Sequence, residues 1–204
     1  MDLTRGEAGS RGTPEVRERE AREAARILGV AHRESLGLPD AGLLDTPDQR
    51  DAVVSAIRRL RPRIVLLQHW EQRHPDHAAA GRIVYAASFL AGLKNHRPDL
   101  GPPFRPFKLL YSPSVTEADF VTPTFVVDIT GVFGKKLEAI AAFESQFRPG
   151  AGETVSLPFD RFRNAVELAA RKQGQRIGVE FGEGFVTRET MAVSDLQALA
   201  VGSF

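Results

Sequence analysis

The amino-acid sequence predicts a doubly wound α/β fold, in which a mostly parallel sheet lies between helices. Apolar runs of strand length alternate with amphipathic helical segments along the chain, and parallel strands need helical crossovers to connect them. One run, Ile64–Leu67, is continuously apolar, as expected for a strand that is buried on both faces. With 204 residues and 42% hydrophobic content, residues 1–204 are expected to form a single domain.

The first half of the chain predicts helices and strands in alternation. Thr13-Pro14-Glu15 combines a capping hydroxyl, a proline at the first helical position and an acid in the first turn, so a helix should run from there to Leu28. Gly29 is placed to end this helix. Around the strand Ile64–Leu67, the other predicted segments are a short strand at Leu36–Asp40, a helix at Pro47–Leu60 and a long helix from Ala78 to about Leu93.

The second half of the chain predicts two more strands, two helices and an extended segment. Thr130 is expected to cap a helix in which Phe133, Leu137 and Ile140 recur at helical spacing, and which closes at Gln146-Phe147. The remaining predicted segments are strands at Phe107–Tyr111 and Phe125–Ile129, a loop at Arg148–Pro158, a helix at Arg161–Lys172 and extended chain at Ile177–Val186.

The charge balance and the absence of cysteine limit which partners and which metal sites the protein can have. The formal net charge is +1, which gives no strong field toward nucleic acid or anionic lipid, so a small neutral or anionic metabolite fits better. The absence of cysteine excludes disulfides and thiolate zinc sites and leaves His and carboxylates as metal ligands. Neither a signal peptide nor a membrane span is recognisable, so we expect a cytoplasmic protein without a membrane partner.

Three of the five histidines fall within nine residues, just after the strand Ile64–Leu67: they are His69, His74 and His77. Ligands bind at the carboxyl edge of an open α/β sheet. His74 and His77 are three residues apart on a first helical turn, so both rings can face one point, and Asp76 can fix a ring tautomer. The cluster predicts a metal or catalytic site. The alternative is that polar residues simply collect at an exposed helix start, and His69 carries less weight than the pair.

The other candidate ligands are scattered. A catalytic zinc ion needs about three protein ligands, and no second cluster in the sequence has ligand spacing. Asp45, Asp48 and Asp51 are more simply interpreted as turn and helix-cap residues. The carboxylates considered are Asp40, Asp45, Asp48, Asp51 and Asp128.

Arginines near loop edges are candidates for binding a substrate carboxylate, because guanidinium groups capture carboxylates through two hydrogen bonds. The alternative is ordinary surface charge. For Arg17, which lies in a Glu-rich helix, an ion pair within that helix is the simpler interpretation. The candidates are Arg5, Arg11, Arg17 and Arg73.

Taken together, the motifs resemble the LmbE-like (PIG-L) deacetylase family, and their order and spacing resemble its branch in bacillithiol biosynthesis. That branch removes acetate from N-acetylglucosaminyl malate. The resemblance covers essentially the whole chain. The motifs that carry it include Asp2-Leu3-Thr4-Arg5-Gly6-Glu7, Gly12-Thr13-Pro14-Glu15-Val16-Arg17, Leu38-Pro39-Asp40, Arg73-His74-Pro75-Asp76-His77 and Phe143-Glu144-Ser145-Gln146-Phe147.

The resemblance implies a role for individual residues. His77 matches the family's zinc ligand, and His74 matches the residue that stabilises the oxyanion or protonates the leaving amine. Asp76 matches the residue that orients His74. Arg17 and Arg73 match substrate-binding positions, and Arg105 matches an arginine that supports the active-site histidine. The implied cofactor is zinc, and the implied partners are a small sugar conjugate and further copies of the chain.

The sequence departs from the family at its beginning. Family members start with a strand followed by Ala-His-Pro-Asp-Asp-Glu, which supplies the other zinc ligands and the general base, and this segment is absent here. The resemblance therefore implies a Rossmann-like doubly wound fold whose first strand and helix are missing. Loss of a central strand would leave unpaired backbone groups on its neighbour.

Three functions remain open from the sequence. The first is a zinc-dependent hydrolase acting on N-acetylglucosaminyl malate. The second is a non-catalytic remnant that acts only as a binding or oligomerisation module, which the missing ligands favour. The third is a deacetylase of another N-acetylglucosaminide conjugate.

Overall fold

The computed structural model describes residues 1–115, 121–147, 158–198 and 200–201, and the α/β class is confirmed. Short 3-10 helices lie at Pro98–Leu100, Thr130–Val132 and Leu196–Ala198. The helices of the described part are α1 (Pro14–Leu28), α2 (Pro47–Leu60), α3 (Pro75–Leu90), α4 (Phe133–Ala141), α5 (Glu144–Phe147) and α6 (Phe159–Gln175). Its strands are β1 (Ile64–Gln68), β2 (Lys108–Ser112), β3 (Phe125–Asp128) and β4 (Gly182–Phe185).

The strands form two pairs that meet at one point. β1 and β2 are parallel, with Ile64 opposite Lys108 and Gln68 opposite Ser112. β3 and β4 are antiparallel. A bridge between Tyr111 of β2 and Val186, just after β4, joins the pairs through two hydrogen bonds of 2.9 Å. The carboxyl ends of β1 and β2 therefore lie side by side, and α3 begins next to them.

The first two helices begin and end where the sequence predicts. The Thr13 hydroxyl accepts a hydrogen bond from the Val16 N–H at 3.3 Å, and α1 ends at Gly29, whose φ of 71° places it in the left-handed region that glycine tolerates. The Thr46 hydroxyl caps α2 in the same way by accepting from the Gln49 N–H. Local capping chemistry thus sets these boundaries.

The predicted strand at Leu36–Asp40 is wrong. The Leu36 and Leu38 N–H groups donate to the Asp2 and Leu3 carbonyl oxygens at 2.9 and 2.8 Å, but only the parallel bridge between Asp2 and Ser35 is regular. Gly37 between the two leucines has a φ of 65°, which interrupts extended geometry. The segment is held beside residues 2–3 without becoming a strand.

Two expectations around α4 also need correction. Thr130 does not cap this helix: it begins a short 3-10 helix, and its hydroxyl accepts from the Phe181 N–H at 3.1 Å. The helix does not continue to Phe147, because α4 ends at Ala141 and α5 forms a separate turn. Of the predicted loop at Arg148–Pro158, residues 148–157 lie outside the described residues.

The larger buried cluster lies between α2 and α3, around Val53, Val54 and Ile83, all of which are fully buried. α3 also approaches the end of β1 closely at Gly81, where a β-carbon would lie only 2.6 Å from the Gln68 carbonyl oxygen. Only glycine allows this approach without movement of the backbone. The contact fixes the first turns of α3 against the carboxyl end of the sheet.

Arg58 ties α2 to the end of α3 although it is buried, with 3% of its surface exposed. Its guanidinium donates to five backbone carbonyl oxygens, including those of Ala91 at 3.1 Å and His96 at 2.8 Å. Backbone carbonyl oxygens carry partial negative charge, and these hydrogen bonds offset the cost of burying the cation.

Among the described residues, β1 pairs only with β2. Ile64 and Leu66 on β1 are 51% and 62% exposed, which is unusual for a strand as apolar as this one. Within the described ranges, the second edge of β1 faces a large cleft and no other strand.

Candidate functional site

An open cleft of about 1250 Å³ lies beside β1. One wall is formed by the chain's first residues and α1, and the other by β1 and the start of α3. His74, Asp76 and His77 line this cleft together with Arg5 and Arg17. Residues from two distant sequence motifs therefore share one cavity.

The two histidines lie side by side, as the i, i+3 spacing predicts. The ring centroids of His74 and His77 are 4.9 Å apart, and the ring planes differ by 29°. His74 is the N-cap of α3, and its Nδ1 accepts a hydrogen bond from the Asp76 N–H at 3.2 Å. In the neutral ring this bond places the remaining proton on Nε2.

Asp76 orients His74 in a different way from the one predicted. Its backbone N–H, not its carboxylate, contacts the imidazole. The carboxylate is buried, with one oxygen accepting from the Leu43 N–H at 3.4 Å. No hydrogen-bond donor in the described part of the chain reaches the other oxygen, Oδ2. A buried carboxylate oxygen without a donor is costly, so this atom marks a place where a further polar group would be stabilised.

Arg17 lines the cleft without a carboxylate beside its guanidinium within the described residues. The ion pairs along α1 instead join Arg22 to Glu18 and Arg26 to Glu23. The intrahelical ion pair considered for Arg17 is therefore absent from the described part. Its guanidinium carbon lies 5.7 Å from the centre of the Phe143 ring.

The structure separates two other predicted residues from this group. Arg73 is exposed on the loop before α3 and is not among the described residues that line the cleft. Arg105 donates to the Phe89 carbonyl oxygen at 3.3 Å, near the carboxyl end of α3. The 16 residues of α3 span about 24 Å, and His74 caps the opposite end. The length of α3 therefore lies between Arg105 and His74, and the implied support of the active-site histidine by Arg105 stays a prediction.

Two further candidates, His69 and Asp40, have contacts that hold the fold together. His69 is 3% exposed, stacks on Trp70 and accepts from the Glu71 N–H at 3.2 Å. The Asp40 carboxylate accepts from the Thr4 hydroxyl and the Ala8 N–H, which joins the first sequence motif to the third.

Three of the scattered aspartates also serve the fold. Asp45 binds Arg50 at 2.6 Å, and this guanidinium lowers the pKa of the Asp45 carboxyl. Asp51 binds His96 and Arg97. Asp128 accepts from Thr130, and this hydrogen bonding lowers its pKa.

The described residues do not complete a metal site. No group of three or more His, Asp or Glu side chains in that part of the chain is placed to hold a metal ion. His77 offers an imidazole at the cleft, and the unsatisfied Asp76 oxygen lies beside it in sequence. Zinc accepts such ligands, so the donor chemistry fits one part of a zinc site and leaves the rest to other residues.

One residue of this region was not singled out from the sequence. Glu20 on α1 is buried, with 8% of its surface exposed, and binds Ser145. A signal for it existed: Glu20 falls four residues after Val16 and four before Ala24, on the apolar row of the helix. A carboxylate on such a row requires polar partners.

Comparisons with known proteins agree with the motifs. The family model PIG-L, GlcNAc-PI de-N-acetylase, matches residues 1–88. Diacetylchitobiose deacetylase from Thermococcus kodakarensis is 35% identical over 154 residues, covering 72% of this chain and 55% of that protein. The probable N-acetyl-α-D-glucosaminyl L-malate deacetylase 2 from Bacillus cereus is 30% identical over 140 residues, covering 65% and 58%. The chain spans about half the length of these curated relatives.

A solved structure extends the similarity over nearly the whole chain. The conserved protein TT1542 from Thermus thermophilus is 39% identical, with a TM-score of 0.82, and the alignment covers 95% of this chain and 82% of that one. With the family match at residues 1–88 and the deacetylase relatives, this agreement assigns the fold and the family. The chain belongs to the LmbE-like (PIG-L) deacetylase family.

Proposed function

We propose that the full-length protein is a zinc-dependent hydrolase that removes the acetyl group from an N-acetylglucosaminide. The proposed substrate is N-acetylglucosaminyl malate, an intermediate of bacillithiol biosynthesis. The observation that carries this proposal is the cleft that joins the His74–His77 pair to the guanidinium of Arg17. The pair offers groups for amide hydrolysis. The guanidinium offers a permanent positive charge for an acidic aglycone.

His77 would be one zinc ligand, and the described residues do not supply the rest of the ligand set. Zinc, when bound, supplies a positive charge and an activated water molecule beside the acetyl carbonyl. Asp76 has no assigned zinc contact in this proposal. The Asp76 N–H donates to Nδ1 of the His74 ring, which leaves Nε2 available for the substrate.

His74 would act on both oxygen and nitrogen of the scissile amide. Attack of water on the carbonyl carbon places negative charge on the carbonyl oxygen, and an N–H donor at His74 Nε2 stabilises that charge. The carbon–nitrogen bond then breaks, and the departing nitrogen leaves as an amine with a proton from His74, whose ring is reprotonated by the proton that the attacking water gives up. The products are acetate and the free glucosaminide.

Arg17 would select the aglycone. Malate carries two carboxylates, and a guanidinium that no described carboxylate neutralises can bind one of them through two hydrogen bonds. The relative from Thermococcus kodakarensis is named for diacetylchitobiose, which lacks such a charge. Deacetylation of a neutral N-acetylglucosaminide is therefore the main alternative within the family.

The test is acetate release by the zinc-loaded full-length protein from three substrates side by side: the malate conjugate, the inositol conjugate and diacetylchitobiose. We expect kcat/KM to be at least about tenfold higher for the malate conjugate, which corresponds to about 1.4 kcal/mol for one charge-assisted contact. Arg17→Ala should remove that preference. Arg26→Ala is the matched control, because Arg26 lies on the same helix, pairs with Glu23 and does not line the cleft.

Equal kcat/KM values on the three substrates would overturn the choice of malate and leave a deacetylase of different specificity. A protein that binds the malate conjugate but releases no acetate would be the non-catalytic binding module. The incomplete set of metal ligands among the described residues is the observation that favours this second candidate.

A further inference from the structure

Glu20 forms a buried connection between α1 and the turn α5. Its carboxylate accepts two hydrogen bonds from Ser145, one from the backbone N–H at 2.6 Å and one from the hydroxyl at 2.8 Å. Charge-assisted hydrogen bonds of this length are among the stronger ones in proteins. Because the carboxylate is buried, both donors are needed to offset its loss of water.

The segment that Glu20 holds in place forms part of the surroundings of Arg17. Phe143, two residues before Ser145, places its ring 5.7 Å from the Arg17 guanidinium carbon and lines the cleft. Gln146, the next residue after Ser145, lines the cleft as well and donates to the Arg11 carbonyl oxygen at 3.2 Å. One carboxylate therefore fixes the aromatic face next to Arg17 and the loop before α1.

Two glycines show how closely the chain surrounds Arg17. A β-carbon at Gly12 would lie 2.8 Å from the Ser145 hydroxyl oxygen and 3.4 Å from Arg17 Cδ. A β-carbon at Gly6 would lie 3.4 Å from Arg17 Nε. The guanidinium is thus held between the loop at residues 6–12 and the Phe143 ring, and both surfaces depend on where Ser145 sits.

We propose that Glu20 is a positioning residue for Arg17: by holding Ser145, it sets the Phe143 ring and the glycine loop that orient the guanidinium toward an acidic group of the substrate. This inference rests on the proposed role of Arg17 in binding the aglycone. Glu20 does not itself line the cleft, so its effect passes through Arg17. It therefore determines specificity for an anionic aglycone and takes no part in breaking the amide bond.

A purely structural Glu20 would lower stability and affect every substrate alike. A positioning Glu20 has a different signature, because misplacing a binding group by about 1 Å weakens the interaction made by that group. Glu20→Gln should raise KM for the malate conjugate about fivefold to tenfold, with kcat lowered by no more than about threefold. KM for diacetylchitobiose should change much less.

The decisive experiment combines Glu20→Gln with Arg17→Ala in the full-length zinc-loaded protein. If Glu20 acts through Arg17, Glu20→Gln should change KM for the malate conjugate less than about twofold once Arg17 is gone. Glu23→Gln is the matched control, since Glu23 lies one turn further along α1 and pairs with the exposed Arg26. Its KM should equal that of the wild type. Ser145→Ala, which keeps the backbone hydrogen bond to Glu20, provides a milder variant if Glu20→Gln does not fold.

A full additional loss in the Arg17→Ala background, or a fall in kcat without a change in KM, would overturn the proposal. Calorimetric binding of the malate conjugate distinguishes this failure from failure of the proposed function. If the wild type binds the malate conjugate but releases no acetate, the proposed function fails. Weaker binding of that conjugate by Glu20→Gln would still confirm the positioning role. A wild type that neither binds nor turns over the conjugate would overturn both.

Discussion

The Tyr111 hydroxyl is a polar group in a buried environment. It is fully buried, and its hydroxyl has no hydrogen-bond partner among the described residues. The ring meets Trp70 edge to face at 4.8 Å, and the guanidinium of Arg188 lies 5.2 Å from its centre. Burial raises the pKa of the Tyr111 hydroxyl to about 12. The ring therefore contributes packing while its hydroxyl contributes little at neutral pH.

Tyr111→Phe tests this description through stability against pH. Because the folded pKa of Tyr111 lies above the unfolded value of about 10, the unfolded chain loses its proton first, and stability falls as pH rises from about 10 to 12. The phenylalanine variant should have a Tm at pH 7 equal to or above that of the wild type. It should also lose less stability between about pH 9 and 11. Tyr85→Phe, in the same cluster and 39% exposed, is the control and should follow the wild type.

At the level of elements, the contact between α3 and β1 determines where the paired histidines lie. The helix carries His74 and His77 in its first turn, and Gly81 brings it against the Gln68 carbonyl oxygen. Any side chain at position 81 would push the helix away from the end of the strand. The geometry of the candidate site therefore depends on Gly81, which has no functional side chain.

Gly81→Ala is expected to lower the free energy of unfolding by about 1–3 kcal/mol, because the new methyl group would meet backbone at 2.6 Å. Gly134→Ala is the matched control. Gly134 is also helical and lacks a positive φ, and a methyl group added there would meet no heavy atom within 4 Å. This variant should gain up to about 1 kcal/mol. Urea denaturation of both variants measures the difference, and equal effects would contradict the close approach of α3 to β1.

Sequence alone was sufficient for the elements whose boundaries are set locally. The Thr13 cap predicted the start of α1 and the apolar spacing predicted α2, and both helices lie at their predicted limits. The prediction of a strand at Leu36–Asp40 was wrong because, within the described part of the chain, this segment pairs only with residues 2–3. Hydrophobic periodicity does not reveal that the partner is so short. Thr130 has the residue type of a cap, but a long-range bond to Phe181 uses its hydroxyl instead.

In the candidate site too, the sequence predicted the local geometry and missed the long-range contacts. The spacing of His74 and His77 places their rings together, since one helical turn fixes their geometry. The contact between the Asp76 N–H and His74 depends on backbone direction, and the bond between Glu20 and Ser145 joins residues 125 positions apart. The distance between Arg105 and the histidines follows from the length of α3 and could have been calculated from the predicted helix.

For the whole molecule, the fold places residues from α1, β1 and α3 around one cleft. Within the described residues, no helix is long and apolar enough to cross a membrane. The family assignment rests on the PIG-L match and on the similarity to TT1542, while the proposed substrate rests on the guanidinium of Arg17 in the cleft. The reaction proposed at the histidine pair is therefore the central point to test.

The most direct test of that claim is kcat/KM for acetate release by His74→Ala in the full-length zinc-loaded protein. If His74 has the proposed roles of stabilising the oxyanion and donating a proton, its removal should lower kcat/KM at least about a hundredfold, chiefly through kcat. His32→Ala is the control, because His32 is exposed, pairs with Glu34 and lies outside the cleft. A large loss is expected for His74→Ala and none for His32→Ala. Acetate release by His74→Ala at the wild-type rate, or no release by the wild type, would contradict the proposed reaction.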